Sequence, residues 1–158
     1  MKDIQIRALS GSLYAGVLMG AIFLSPIAIT AVILLFSGLA LWEFQRLIQF
    51  KSFIPILTLV LLSVYATLGF VSTFTEDILV YSALTINLVL VAMLFNSKKI
   101  EYSYPVQFVL SMGYIVLSSY FITRTAFDGL AYEPRILALL YIATVSYTHL
   151  RAHETRHD

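Results

Sequence analysis

From Leu9 to Leu41 the chain runs for 33 residues without a charged side chain, and no other stretch limits its fold as tightly. Wound as one helix, that run would be about 50 Å long at ~1.5 Å per residue, against about 30 Å for the hydrocarbon core of a bilayer. One crossing cannot absorb it. The interruption falls at Ser25-Pro26, because proline brings no N–H to the helix ladder and pushes the residue before it toward extended geometry. The expectation is two short helices, Leu9 to Leu24 and Ile27 to Trp42, folded as a hairpin.

The basic residues test that division independently, since short loops rich in Lys and Arg stay on the cytoplasmic side of a membrane. With a hairpin, Lys2, Arg7, Arg46, Lys51, Lys98 and Lys99 share one side and face Arg124 and Arg135, six against two. With a single span the same residues divide four against four, a distribution that sets no orientation. The hairpin with a cytoplasmic N-terminus is therefore preferred.

Composition agrees. Of the 158 residues 59% are hydrophobic and 12% charged, where soluble domains carry about 25% charged residues. The sequence reads as an all-α, polytopic transmembrane helix bundle. A net charge of +1 gives no basic face with which to neutralise a phosphate backbone, so no nucleic-acid partner is expected. The lack of cysteine removes disulfides, thiolate metal sites and cysteine nucleophiles together. A cleaved signal peptide is the rival reading of the first 25 residues, but apolar sequence resumes directly after Pro26 with no small-residue cleavage site before it, so the segment is kept.

Taken in order, Ser12, Gly16 and Gly20 recur every fourth residue, a small-residue face suited to close helix packing. The second helix closes on Trp42-Glu43-Phe44-Gln45-Arg46-Leu47, with an indole at the interface and a carboxylate three residues before a guanidinium. Glu43 and Arg46 are the candidate substrate-binding residues, placed to form a polar entrance for a charged lipid head group; the structural alternative is a plain interfacial ion pair. Span three is expected at Phe53 to Phe70 with Pro55 in its first turn, span four from Ile78 to about Phe95, and span five from Pro105 to Ile122. Asn87, inside span four, should face another helix, because an amide in hydrocarbon needs a partner. Thr123 to Pro134 forms the longest polar connection. A sixth span starts near Arg135 and has only ten mostly apolar residues, Ile136 to Val145, where about 20 are needed.

After Thr144 the composition changes abruptly. His153-Glu154-Thr155-Arg156-His157 formally matches H-E-x-x-H, the spacing that puts two histidines one helical turn apart on zinc. Against a metalloprotease stands the position of the motif one residue before the end, with no room for a third ligand downstream. The run Val145 to Thr155, VSYTHLRAHET, resembles one reading frame through a transposase-type sequencing adapter. Residues 145–158 are thus expected to be a non-native tail and residues 1–144 the native transmembrane region, and no metal site is assigned.

The N-terminal stretch resembles the phosphatidate cytidylyltransferase (CDP-diacylglycerol synthase) family of bacterial membranes. The resemblance is carried by Arg7-Ala8-Leu9-Ser10-Gly11 opening a short helix, by the second apolar helix, by Glu43-Phe44-x-Arg46-Leu47 closing it, and by Met112-Gly113-Tyr114-Ile115-Val116-Leu117 with Tyr120. It implies transfer of a cytidylyl group from CTP to phosphatidic acid with release of pyrophosphate, in a multi-pass protein of the bacterial inner membrane. It also implies Mg2+ in the full-length enzyme, where divalent ions offset transition-state charge. The family's acidic motif and its Lys-, Asp- and Gly-rich signature have no counterpart here, so no catalytic residue is carried over, and this chain is expected to be an N-terminal fragment, inactive alone and binding no metal. The rival function is a fragment of a transporter or channel, against which the two halves show no self-similarity. The sequence leaves the oligomeric state open, a homodimer among the options.

Overall fold

The computed structural model describes residues 2–69, 72–95, 103–129 and 131–154. The elements are α1 (Lys2–Leu24), α2 (Pro26–Leu47), α3 (Ile54–Leu68), α4 (Thr73–Leu94), α5 (Tyr104–Leu110), a π-helical turn (Ser111–Val116), α6 (Leu117–Arg124), the short strands β1 (Phe127–Asp128) and β2 (Ala131–Tyr132), and α7 (Pro134–Glu154). The chain is all-α apart from that two-residue hairpin. Among the described residues three stretches are long and apolar enough to cross a membrane: Pro26–Leu47, Thr73–Ala92 and the continuous Tyr104–Arg124. The apolar parts of the other helices, Leu13–Leu24, Ile54–Leu68 and Pro134–Tyr147, are shorter.

Each of the four prolines stands at the first or second position of a helix, where its missing N–H costs nothing: Pro26 in α2, Pro55 in α3, Pro105 in α5 and Pro134 in α7. Ser25 is the N-cap of α2. Its Oγ accepts from the Ala28 N–H at 3.0 Å, and its carbonyl accepts the first helical bond from Ile29 N–H at 3.1 Å, satisfying donors that the helix start leaves bare. Ser72 does the same for α4, its Oγ accepting from Thr75 N–H at 3.2 Å. α3 ends on Gly69 at φ 72°, the left-handed cap that glycine adopts without a Cβ penalty.

The chain divides into two compact units, residues 30–124 and residues 1–29 with 125–158. In the first, Leu41, Leu59 and Val116 form the buried centre, with Leu34, Ile56, Leu62, Met112 and Ile115 packed around them. Small polar side chains lie between the helices. Ser119 Oγ donates to Ser37 Oγ at 2.7 Å, and Thr30 and Thr67 hydroxyls pair at 2.8 Å, the hydroxyl contacts expected where helices associate without a hydrophobic driving force. The π-helical turn is visible in the Leu117 N–H, which donates to the Met112 carbonyl five residues back. Gly113 lies within it and is buried; a Cβ there would overlap Ile86 Cγ2 and come within 3.2 Å of Ile86 Cβ, so α4 approaches the turn only because position 113 has no side chain. At one end of this unit Arg124 Nε donates to Glu76 Oε1 at 2.5 Å, joining the last turn of α6 to the first turn of α4.

In the second unit α1 packs on α7. β1 and β2 pair antiparallel, Phe127 opposite Tyr132 and Asp128 opposite Ala131, with Gly129 at φ 59° supplying the left-handed residue a two-residue hairpin loop needs. Glu133 N–H donates to the Ala126 carbonyl at 2.8 Å and closes the base. The Tyr132 hydroxyl donates to the Ile22 carbonyl. In a continuous helix that carbonyl would accept from residue 26, which here is proline, so the phenol replaces the donor that Pro26 lacks.

Several expectations are modified. Among the described residues, a Cβ added at Gly16 or Gly20 in α1 meets nothing within 4 Å. α4 begins five residues before the expected Ile78, because the Ser72 cap draws Thr73 to Asp77 into helix. The Thr123 to Pro134 connection carries the short β1–β2 pairing. α7 runs from Pro134 to Glu154, while Thr155 to His157 lie outside the described residues, so the H-E-x-x-H spacing has no described geometry.

Candidate functional site: a cationic groove at the end of helix α2

The site is built by the way α2 stops. Gln49 has φ 56°, and it is the residue other than glycine that adopts positive φ among those described. Around it, Gln49 N–H donates to the Arg46 carbonyl at 3.3 Å and Phe50 N–H to the Gln45 carbonyl at 2.8 Å. These are the two paired bonds of a Schellman ending. Glutamine in the left-handed conformation costs on the order of 1 kcal/mol, so the surroundings must hold it.

Two buried or half-buried amides do so. Gln45 Nε2 donates to the Ser52 carbonyl at 3.0 Å, and Gln107 Nε2, from the first turn of α5, donates to the Ile48 carbonyl at 2.7 Å. Phe50 is buried, with its ring centroid 5.1 Å from that of Tyr104 and 6.4 Å from that of Phe108. The turn is thereby tied to α5 through hydrogen bonds and ring packing together.

The fixed turn borders an open groove of about 740 Å³ lined by Trp42, Gln45, Arg46, Gln49, Phe50, Lys51, Ser52 and Phe53. Both charged groups in that lining are cations, and Arg46 and Lys51 are exposed. Trp42 and Phe53 are 60% and 71% exposed, and such rings at the end of an apolar helix sit at head-group level. A guanidinium offers a planar fork of donors to a phosphate and an ammonium a mobile point charge. The arrangement suits an anionic head group whose acyl chains run alongside α2.

Of the two residues singled out from sequence, Arg46 lines the groove and Glu43 does not. Glu43 is exposed on α2, and the ion pair found among the described residues joins Arg124 to Glu76, so the Glu43–Arg46 pair is not formed. Arg46 is left to face the groove instead. Sequence reasoning missed Gln45, Gln49 and Gln107 as the parts that shape the turn. Their signal was an amide in the last turn of one apolar helix and another in the first turn of a second, where lipid-facing residues would be expected.

Among the described residues no three His, Asp or Glu side chains converge on one point, and no step is routed through the divalent ion that the family resemblance implies for a full-length enzyme. Compared with known proteins, the chain matches no family model, no curated protein and no solved structure.

Proposed function

We propose that the chain provides membrane-spanning helices of a phosphatidate cytidylyltransferase of the bacterial inner membrane, with the α2 groove holding the phosphate of the lipid substrate on the cytoplasmic side. The observation that carries this reading is the convergence of Arg46 and Lys51 on one rigid turn, between two exposed rings at the end of an apolar helix. Phosphatidic acid presents a phosphomonoester directly above two acyl chains, and the groove offers cations directly above an apolar helix. The nucleotide and the divalent ion are handled by residues other than these, and the chain assayed alone with CTP and phosphatidic acid is expected to give no lipid product.

The transporter or channel reading would need an opening within the helices. The irregular point of the long Tyr104–Arg124 helix is its π-helical turn, and there Ile86 occupies the space beside Gly113. That leaves the groove as the stronger basis for function.

Photolabelling in lipid nanodiscs tests the proposal. A photoreactive phosphatidic acid should label the segment from Trp42 to Phe53, and the double substitution Arg46→Gln, Lys51→Gln should cut labelling about tenfold or more, because each cation beside an anionic head group is worth about 1 kcal/mol. Equal labelling by a phosphatidylcholine probe, or labelling unchanged by the double substitution, would refute it.

A further inference from the structure

The carbonyl groups at the end of α2 have no further helical turn to serve. In a longer helix the Ile48 carbonyl would accept from the N–H of residue 52; here it accepts from Gln107 Nε2 at 2.7 Å, a donor 59 residues along the chain. Gln107 is half-buried and does not line the groove. Its effect on a ligand there must pass through the backbone of Ile48.

That backbone joins the two cations. Ile48 stands between Arg46, in the last turn of α2, and Lys51, beyond the left-handed Gln49, so the path of the chain at Ile48 sets where Lys51 lies relative to Arg46. Tyr104, Gln107 and Phe108 fall at i, i+3 and i+4 on one face of α5. The two rings of that face pack on Phe50, with centroids 5.1 Å and 6.4 Å away, while the amide between them takes the Ile48 carbonyl. Gln45 ties the turn from within, Nε2 to the Ser52 carbonyl at 3.0 Å, but it also lines the groove. Gln107 is the amide that can be changed without changing the groove's own surface.

We infer that Gln107 is a positioning residue that makes the groove select a phosphomonoester over a phosphodiester head group, an inference that rests on the phosphatidic acid reading above. Two cations on a loose segment attract any anionic lipid, each by a similar amount. A monoester phosphate carries three terminal oxygens and a charge of about −1.5 to −2 at neutral pH, where a diester carries a single charge. The added charge counts only if guanidinium and ammonium meet on the same phosphate, so their spacing has to be fixed before the lipid arrives. Holding the turn therefore raises the preference for the monoester more than it raises the binding of anionic lipid in general.

The full chain in phosphatidylcholine nanodiscs, with a trace of photoreactive phosphatidic acid or photoreactive phosphatidylglycerol, gives that preference as a ratio of labelling over Trp42 to Phe53. The parent should favour phosphatidic acid about fivefold. Gln107→Met and Gln107→Leu, close to glutamine in size and lacking its donor, should each bring the ratio below about twofold, with phosphatidylglycerol labelling within about twofold of the parent's. Adding Gln49→Gly, which takes the left-handed conformation unaided, should restore most of the preference to either variant. A ratio unchanged in both variants, a parallel fall for the two probes, or no recovery with Gln49→Gly would overturn the inference and leave the phosphatidic acid reading standing. Equal labelling of the parent by the two probes would overturn that reading, and the inference with it.

Discussion

Gln49 holds a backbone conformation that side chains other than glycine avoid, and the two amides of Gln45 and Gln107 hold it there. Gln49→Gly should therefore raise stability by about 0.5–1 kcal/mol, since the relief of left-handed strain exceeds the added entropy of the unfolded chain; thermal unfolding in detergent measures it. Gly113 behaves oppositely. Gly113→Ala should cost about 1–3 kcal/mol through overpacking against Ile86, and Ile86→Ala in the same chain should recover part of that loss, which a double-mutant cycle would detect. Neither packing role was legible in advance. Gln49 looks like an ordinary polar residue after an apolar helix, and Gly113 is one glycine among seven. Only the helix approaching from elsewhere in the chain gives either its role. Arg46 was legible as a cation at the end of an apolar run, but its pairing with Glu43 was not decided by spacing, because both side chains reach solvent more easily than each other.

The elements were more readable, because the punctuation residues act locally. Ser25-Pro26 breaks the 33-residue apolar run where expected, and all four prolines open helices. The strands at Phe127 and Ala131 were missed, since two residues each are too short to show alternation, although Asp128-Gly129 is a recognised hairpin signal. Their consequence is the hydroxyl of Tyr132 on the Ile22 carbonyl. Tyr132→Phe should destabilise the unit by about 1 kcal/mol, and the loss should shrink in a Pro26→Ala background, where residue 26 regains its own N–H; the coupling is read from equilibrium unfolding of the four variants. Burial raises the Tyr132 phenol above its ordinary value near 10. The folded state thus favours the protonated phenol. Its contribution is complete below about pH 10 and is lost as pH climbs through the raised folded value. The difference between parent and Tyr132→Phe in an alkaline tyrosinate titration should show this residue ionising late.

For the whole molecule, composition was enough to place the chain in a bilayer, because a sequence with 12% charged residues has too few polar groups to cover a soluble surface of this size. The number of crossings was less legible. Among the described residues three helices meet the length and apolarity of a span while α1, α3 and α7 have shorter apolar cores, and a short apolar helix is read equally well as a tilted span or as a packed support. The charge distribution motivates the proposal that α1 and α2 cross as a hairpin. Cysteine accessibility in intact cells tests the central claim most directly, using the chain's lack of native cysteine. Lys2→Cys and Lys51→Cys should both resist a membrane-impermeant maleimide added outside and react after permeabilisation, while Asp128→Cys reacts from outside at once. Lys2→Cys and Lys51→Cys labelling from opposite sides would contradict the hairpin, and with it the cytoplasmic setting of the groove.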